Sequence, residues 1–422
     1  MKRLKVLVSA YACEPGKGSE PGVGWNWVRQ IARFHDVWVV TRANNRAMIE
    51  KALAKEPMPN VHWRYFDLPR WARFWKKGQR GVHLYYYLWQ IGAYFVGRHL
   101  HREVSFDLVH HVTFVKYWIP SFLSFLPVPF IWGPVGGGES APGTFFWTFS
   151  CQGRAYEFLR SLARWLGEHD PFVRLTAKRA RLILATTPET QTRIAMLGGR
   201  RIEVLSEVGL PEDEFVALGA IPIRYENPFR VASIGRLLHL KGFHLGLIAF
   251  ANFHRHFPAS EYWLFGDGPE RRNLELLVRR LSIFEAVKFW GQLPRGEVLE
   301  KLADCDVLVH PSLHDSGGWV CVEAMAAGRP VICLDLGGPG VQVSEEAGFK
   351  VFANTPEQAI RDMAWSMARL AESFELRLSM GMAGRRRVEE QFTSNKKGEW
   401  LGVAYQKLLR RYSEDEGCGQ RA

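Results

Sequence analysis

His310–Leu336, HPSLHDSGGWVCVEAMAAGRPVICLDL, reads as a loop, a helix and a buried strand in close succession. Ser316-Gly317-Gly318 turns the chain, and a helix is expected from Trp319 to Ala327. Gly328 supplies its C-terminal stop and Pro330 forbids continuation. Val331–Leu334 then reads as an apolar strand. Two carboxylates, Asp315 and Glu323, flank the turn. Free backbone N–H groups at a helix start carry partial positive charge and suit a phosphate. An anion hole with acceptor oxygens on both sides suits a ligand that is part phosphate and part polyol, as a nucleotide sugar is.

Working upstream, the same alternation of strand and helix recurs. Phe229–Ile234 is a strand, followed by GRLLHLK (235–241) and a helix over 240–253. Tyr262–Phe265 is a strand followed by GDGPE, and Val287–Trp290 is a strand followed by GQLP. Helices are expected over Arg271–Leu281 and Arg295–Ala303, and the strand Val307–His310 leads into the opening stretch. Arg236 and Lys241 sit just beyond a strand at the mouth of a helix. Two cations there suit a diphosphate, Arg as a bidentate fork and Lys as a point charge. Asp304 and Asp306 flank Cys305 where a helix ends and a strand begins. No other acidic ligand is near, so Asp306 reads as strand-entry structure and no metal is required. Downstream, 357–387 is helical and 394–411 is a last amphipathic helix.

The first half opens in the same way. Leu4–Ala10 is a buried parallel strand, GVGWNWVRQIARF (22–34) a helix, and Asp36–Thr41 a second strand. This is the doubly wound βαβ pattern. The turn does not match GxGxxG, so no dinucleotide fingerprint is present. Gly22 and Gly24 have two readings, tight helix–strand packing or close approach of the backbone to a ligand. Phe106–His111 is a strand ending in His110 and His111, where parallel sheets meet their ligands. IWGPVGGGESAP (131–142) contains three consecutive glycines that line a turn or a ligand. Residues 206–227 read as a linker.

Composition bounds the class. At 422 residues and 47% hydrophobic content the chain has core enough for two domains. Six scattered cysteines without a CxxC pair fit a reducing compartment, and neither a disulfide framework nor a zinc site. The basic start and short apolar run read as a strand, not a signal peptide. The longest apolar stretch, Tyr117–Trp132, is interrupted by Pro120, Pro127 and Pro129 and falls short of the ~20 residues of a membrane span. A cytoplasmic protein is expected, peripheral on the inner face of the plasma membrane. Residues 1–205 carry 29 Lys and Arg against 14 Asp and Glu, and the remainder 26 against 29. The excess of +15 in the first half thus stands against −3 in the second, which suggests that one domain meets an anionic partner. Two segments there, 71–102 and 144–164, mix aromatic and basic residues. They read either as core helices with basic ends or as contacts with an anionic membrane surface. No nucleic-acid-binding motif is present, so nucleic acid is not expected as a partner.

The blocks GRLLHLKG (235–242), GDGPE (266–270), FWGQLP (289–294), HPSLHDSGG (310–318) and VEAMAAGRPVI (322–332) occur in an order and spacing that resemble the retaining, nucleotide-sugar-dependent glycosyltransferases of the GT-B fold. That large bacterial mannosyl- and glucosyltransferase family comprises the glycosyl transferases group 1. The glycine loop at 22–24 and the strand-end histidines are similar to it too. The resemblance implies an α/β protein of two Rossmann-like domains facing across a cleft. The acceptor-binding domain would span 1–205, a linker 206–228 and the nucleotide-sugar domain 229–392. Residues 393–412 would form a helix returning to the first domain, and 413–422 a flexible tail. By the same resemblance, Arg236 and Lys241 hold the diphosphate and Glu323 the ribose hydroxyls. Asp315 contacts the donor sugar, helped by Ser316, Gly317, Gly318 and Trp319. Leu293 belongs to the block that places the base, and Gly235, Gly266 and Gly268 shape the donor cleft. His111 is the catalytic histidine of the first domain, where Gly22, Gly24, His110 and Gly137 face the acceptor, a saccharide or polyprenyl-linked saccharide. No cofactor beyond the nucleotide sugar is expected. The alternatives are a sugar-nucleotide epimerase or hydrolase on the same fold, and a non-catalytic partner subunit. Three positions depart from the family pattern. Asp315 stands where Glu is usual, His111 lies one residue early, and Pro339-Gly340-Val341 follows Gly337-Gly338 where a glutamate is common.

Overall fold

A computed structural model describes residues 3–17, 19–76, 78, 81–114, 116–223 and 228–419. Lys77 and Arg80 of the basic aromatic segment, residues 224–227 of the expected linker and 420–422 of the tail lie outside the described residues. The chain forms two units. The first comprises Met1–Gly138, Leu162–Gly209 and Ser394–Ala422, and the second Glu139–Ser161 and Leu210–Thr393.

Unit 1 is built on strands β1 (Lys5–Ala10), β2 (Asp36–Thr41), β3 (Val61–Tyr65), β4 (Leu108–Thr113), β5 (Phe130–Val135), β6 (Leu182–Ala185) and β7 (Ile202–Val204). Unit 2 has β8 (Phe229–Ile234), β9 (Ser260–Phe265), β10 (Val287–Gly291), β11 (Val307–His310), β12 (Val331–Leu334) and β13 (Gly348–Val351). The orders are β3-β2-β1-β4-β5-β6-β7 and β10-β9-β8-β11-β12-β13. All pairings are parallel, for example Val8↔His110 and Ser9↔His111 between β1 and β4, and Val307↔Val231 between β11 and β8. Buried on both faces, β1, β4, β5, β6, β11 and β12 read as near-continuous apolar runs, as central parallel strands do. In each sheet the chain order reverses beside the first strand, between β1 and β4 and between β8 and β11. Such switch points open a crevice at the carboxyl ends of the strands.

Polar caps and prolines place several helix starts. Thr355 Oγ1 accepts from Gln358 N at 3.2 Å with Pro356 in the first turn. The helical stretch expected over 357–387 is two helices, Pro356–Glu372 and Phe374–Gln391, because Ser373 is extended and caps the second through Leu376 N. The region expected as a linker contains a helix, Glu212–Gly219. The last helix, Ser394–Gly419, belongs to unit 1, where Tyr405 is fully buried. It continues through residues 413–419, expected as tail.

Two findings concern the aromatic segments. Helix Val82–Val104 buries Tyr85, Tyr86, Trp89, Ala93 and Leu100 in the core of unit 1, so that stripe is core. Trp71 and Phe74, upstream of it, are exposed. Residues 139–161, expected in the first domain, belong to unit 2, because Phe145 and Phe149 are buried in its core with Phe243, Phe250 and Leu274. The helix that follows, Cys151–His169, turns its apolar face outward. Tyr156, Phe158, Leu159, Leu162, Trp165 and Leu166 are exposed, while Glu157 and Arg160 lie on the sheltered side.

Candidate active site

In unit 2 the loops at the carboxyl ends of the strands are tied to one another by backbone hydrogen bonds. Gly266 N donates to Gly291 O (2.8 Å), Leu237 N to Asp267 O (3.0 Å) and Leu313 N to Leu240 O (2.9 Å). Gly338 N donates to Asp315 O (2.8 Å). The glycines make these approaches possible. A Cβ on Gly266 would lie 2.0 Å from Gly235 O, and one on Gly268 would lie 2.5 Å from Leu237 O. Gly242, with φ +64°, leaves room for Pro311 O. Gly235, Gly266 and Gly268 therefore bring together the loops after β8 and β9.

This belt sets Lys241, after β8, beside Asp315, after β11. Lys241 Nζ lies 2.5 Å from Asp315 Oδ2, and His310 Nε2 donates to the same oxygen at 3.0 Å. Asp315 Oδ1 accepts from the amides of Gly317 and Gly318, each at 3.2 Å. The amides expected to greet a phosphate are thus engaged by the aspartate itself. Burial raises the Asp315 pKa, but the Lys241 charge and the His310 bond outweigh it and hold the carboxyl well below the usual range. Asp315 is a fixed anion. His310 must carry its proton on Nε2, and its buried Nδ1 has no partner among the described residues. Arg236 is exposed, with no side-chain partner among the described residues. Ser316 Oγ donates to Glu139 Oε2 (2.9 Å), and Gln342 Nε2 donates to Gly317 O. Trp319 is half-buried, its indole N–H unpartnered among the described residues.

Glu323 lies on helix Trp319–Ala326, fully within the protein apart from a narrow exposure. Arg295 donates to its Oε1 through Nε (3.0 Å) and Nη2 (2.5 Å) and also grips Glu214. Burial raises the Glu323 pKa, partly offset by Arg295, while Glu214 adds to the rise. The two carboxylates are pushed in opposite directions, one fixed as an anion and the other closer to protonation. Glu323 Oε2 has no partner among the described residues and can accept a hydroxyl. Leu293 is half-buried on the loop after β10. Asp306 accepts from Arg230 N (2.8 Å) and faces Arg377, so it secures the start of β11.

In unit 1 the space beside both glycines of 22–24 is filled by protein. A Cβ on Gly22 would meet Lys17 O at 1.9 Å, and one on Gly24 would meet Ala12 O at 2.1 Å. Their geometry is that of packing. Gly137, φ +97°, lies against the Trp118 ring. His110 and His111 are buried. His110 Nε2 donates to Gly133 O (2.6 Å), so Nδ1 accepts from Tyr405 OH (2.5 Å). His111 Nε2 lies 2.9 Å from Tyr86 OH and 3.2 Å from Thr113 O, and its Nδ1 has no partner among the described residues.

Sequence reasoning missed Glu139, Arg295, Glu214 and His310. Glu139 had a signal, an acidic residue directly after three glycines. It is 2% exposed, and Arg160 Nη2 donates both to its carbonyl (2.9 Å) and to His314 Nε2 (2.7 Å), next to Asp315. Arg295 follows Pro294 of the GQLP block at a helix start, and its charge had no visible partner in the sequence.

Residues 220–387 match the family described as Glycosyl transferases group 1. The matched segment carries Arg236, Lys241, Asp315 and Glu323, and the fold around it is that of the GT-B glycosyltransferases. The chain is similar to the lipopolysaccharide core biosynthesis glycosyltransferase LpsE of Rhizobium meliloti, 33% identical over 200 residues, 45% of this chain and 56% of that protein. It is 26% identical over 216 residues to the putative colanic acid biosynthesis glycosyltransferase WcaL of Escherichia coli, 49% of this chain and 52% of that protein. The chain therefore spans about half the length of these curated relatives. Among solved structures, Anabaena HepE, determined in complex with UDP and glucose, superposes with a TM-score of 0.61 at 18% identity, covering 96% of this chain and 100% of HepE. That likeness establishes the fold.

Proposed function

We propose that this chain is a retaining glycosyltransferase that moves a hexose from a nucleoside-diphosphate sugar to a saccharide or lipid-linked saccharide in cell-surface polysaccharide or glycolipid assembly. The observation that carries the proposal is the Lys241–Asp315 pair at the β8/β11 switch point, on the family-matched segment. As the bond from the anomeric carbon to the diphosphate breaks, the sugar gains positive and the diphosphate negative charge. Lys241 and the exposed Arg236 stabilise the departing diphosphate, and the ionised Asp315 steadies the cationic sugar. The acceptor hydroxyl gives its proton to the leaving phosphate oxygen and attacks from the same face, which retains configuration. Glu323 accepts the ribose hydroxyls through its open oxygen. Acceptor recognition falls to unit 1. The names of LpsE and WcaL support surface-polymer assembly.

The test is a screen of UDP-, GDP- and ADP-sugars for thermal stabilisation, followed by transfer to saccharide and polyprenyl-diphosphate acceptors. One donor should stabilise the protein and yield an α-retained product. Inverted product, or hydrolysis of the donor regardless of acceptor, would defeat the reading.

The proposal extends to peripheral binding at an anionic membrane, supported by the outward apolar face of helix Cys151–His169 and the charge excess of the first half. Among the described residues no helix is long and apolar enough to cross a membrane. Leu159→Glu with Leu162→Glu should weaken flotation with anionic vesicles by about tenfold per leucine, the burial of one such side chain. Both residues are exposed, so folding should be unaffected. Equal flotation of wild type and variant would remove the membrane contact.

A further inference from the structure

A second charged site lies in unit 1, built from residues to which no role is assigned above. It is a cavity of about 320 Å³ walled by Arg42, Arg70, Arg73 and Lys76. Arg42 directly follows β2, and Asp67 comes shortly after β3, so the cavity opens at the carboxyl edge of the sheet, where α/β proteins bind ligands. Three of the four cations, Arg42, Arg73 and Lys76, are held in place by their surroundings. Arg42 Nε pairs with Asp67 Oδ1 at 3.0 Å and Arg73 Nη1 with Asp67 Oδ2 at 3.4 Å. Tyr85 OH donates to Asp67 at 2.6 Å. Arg42 lies over the rings of Tyr11 and Tyr85, and Lys76 over Tyr85, each at 5.2 Å. Tyr11 follows β1, so three successive strand ends contribute to the arrangement.

The charges do not balance. Asp67 is the carboxylate bonded to these cations, whereas four cations wall the cavity. Arg70 has no side-chain partner among the described residues, and Lys76 Nζ donates to the carbonyl of Gly78, at 3.3 Å, with no carboxylate bonded to it among the described residues. Burial lowers the Lys76 pKa, and the neighbouring Arg42 and Arg73 charges lower it further against the opposing pull of Asp67, as expected where cations outnumber the carboxylate beside them. A solvated surface cluster would spread its side chains apart. Here the Tyr11 and Tyr85 rings and the largely buried Asp67 hold Arg42, Arg73 and Lys76 together, and Arg70 stands exposed at the rim.

We infer that this cavity binds a phosphate or diphosphate group carried by the acceptor. Guanidinium forks match phosphate oxygens bidentately and an ammonium adds a point charge, so the set suits a polyanionic oxyanion better than a single carboxylate. The inference rests on the glycosyltransferase reading for the word acceptor. The anion site itself stands on unit 1 alone. A glycosyl acceptor built on a prenyl diphosphate, or a phosphorylated saccharide, presents the required group.

The test uses inorganic pyrophosphate and the full chain in low salt, followed by calorimetry. Arg236→Ala serves as the background, because it weakens pyrophosphate binding in unit 2. In that background Arg70→Ala with Lys76→Ala should reduce the remaining affinity by about tenfold per cation removed. Neither side chain bonds to Asp67, so the network that anchors Arg42 survives. In transfer assays the pair should raise KM for a diphosphate-bearing acceptor and leave KM for the donor unchanged. Unaltered pyrophosphate binding in the variant overturns the inference even if transfer is observed. Loss of anionic-vesicle binding with pyrophosphate affinity intact also overturns it, because the cations then meet a membrane surface. Pyrophosphate binding lost as expected, in a protein that transfers no sugar, upholds the site and defeats only the reading of the activity.

Discussion

Lys241→Ala is expected to lower kcat by about 10²–10³-fold, the range for removing one donor that stabilises developing negative charge. The charge it meets grows as the diphosphate departs, so the loss should fall on kcat more than on donor binding. A second effect follows from its partner. Lys241 and Asp315 are both largely buried, with side chains 19% and 16% exposed. Removing the ammonium leaves an anion supported only by His310 and two amides. Breaking such a pair should cost unit 2 about 3 kcal/mol, the low end for buried pairs because both groups keep some solvent. The Asp315 pKa should rise, since burial would act against a weaker opposition. Adding Asp315→Asn to the Lys241 variant removes the orphaned charge and should restore most of the stability without restoring turnover. A double-mutant cycle with thermal melts and initial rates separates the two effects. Wild-type turnover by Lys241→Ala would show that the lysine does not serve the leaving group.

The donor loops of unit 2 were largely legible from local chemistry. Parallel strands buried on both faces write themselves as apolar runs, and glycine and proline mark the turns between them. β8, β11 and β12 accordingly match expectation to the residue, and helix Trp319–Ala326 to within one. β13, with half-buried interior positions, has too weak an apolar run to stand out. Long-range pairing was not legible. Nothing local to Lys241 tells that Asp315, 74 positions away, will neutralise it, or that Arg295 will join Glu323 to Glu214. Helix Cys151–His169 shows a different limit. Its periodicity reveals an amphipathic helix but not which face turns inward, and here the polar side shelters Glu157 and Arg160. The histidines expected to end a strand over 106–111 lie instead within β4, which runs on to Thr113, and chain position alone could not reveal that Tyr405, from the last helix, closes over His110.

Lowering the pH from 7 to 5 is expected to destabilise unit 1 by about 4 kcal/mol through His110 and His111. Burial pushes their pKa values down to about 4 and about 3, against small opposing contributions from the carbonyls of Gly133 and Thr113. In the unfolded chain each returns to about 6.5. As pH falls through 6.5 the unfolded state takes up protons that the folded state refuses. Stability is therefore complete above pH 6.5 and declines until the folded pKa is reached. At pH 5 the difference comes to about 2 kcal/mol per histidine, at 1.36 kcal/mol per pH unit. The geometry explains the refusal. His110 donates from Nε2 to Gly133 O and accepts at Nδ1 from the buried Tyr405 hydroxyl, so a second proton would set two donors against each other. Among the described residues His111 has no acceptor for a proton at Nδ1. Protonating His110 should also loosen helix Ser394–Gly419, which holds Tyr405 in place. Thermal melts of wild type and His111→Gln at pH 5, 6 and 7 test the prediction. The variant should lose roughly half of the pH dependence while keeping a side chain that can bond to Tyr86. A wild-type melting temperature that does not change between pH 7 and 5 would mean that these histidines are not neutral and buried in the folded protein.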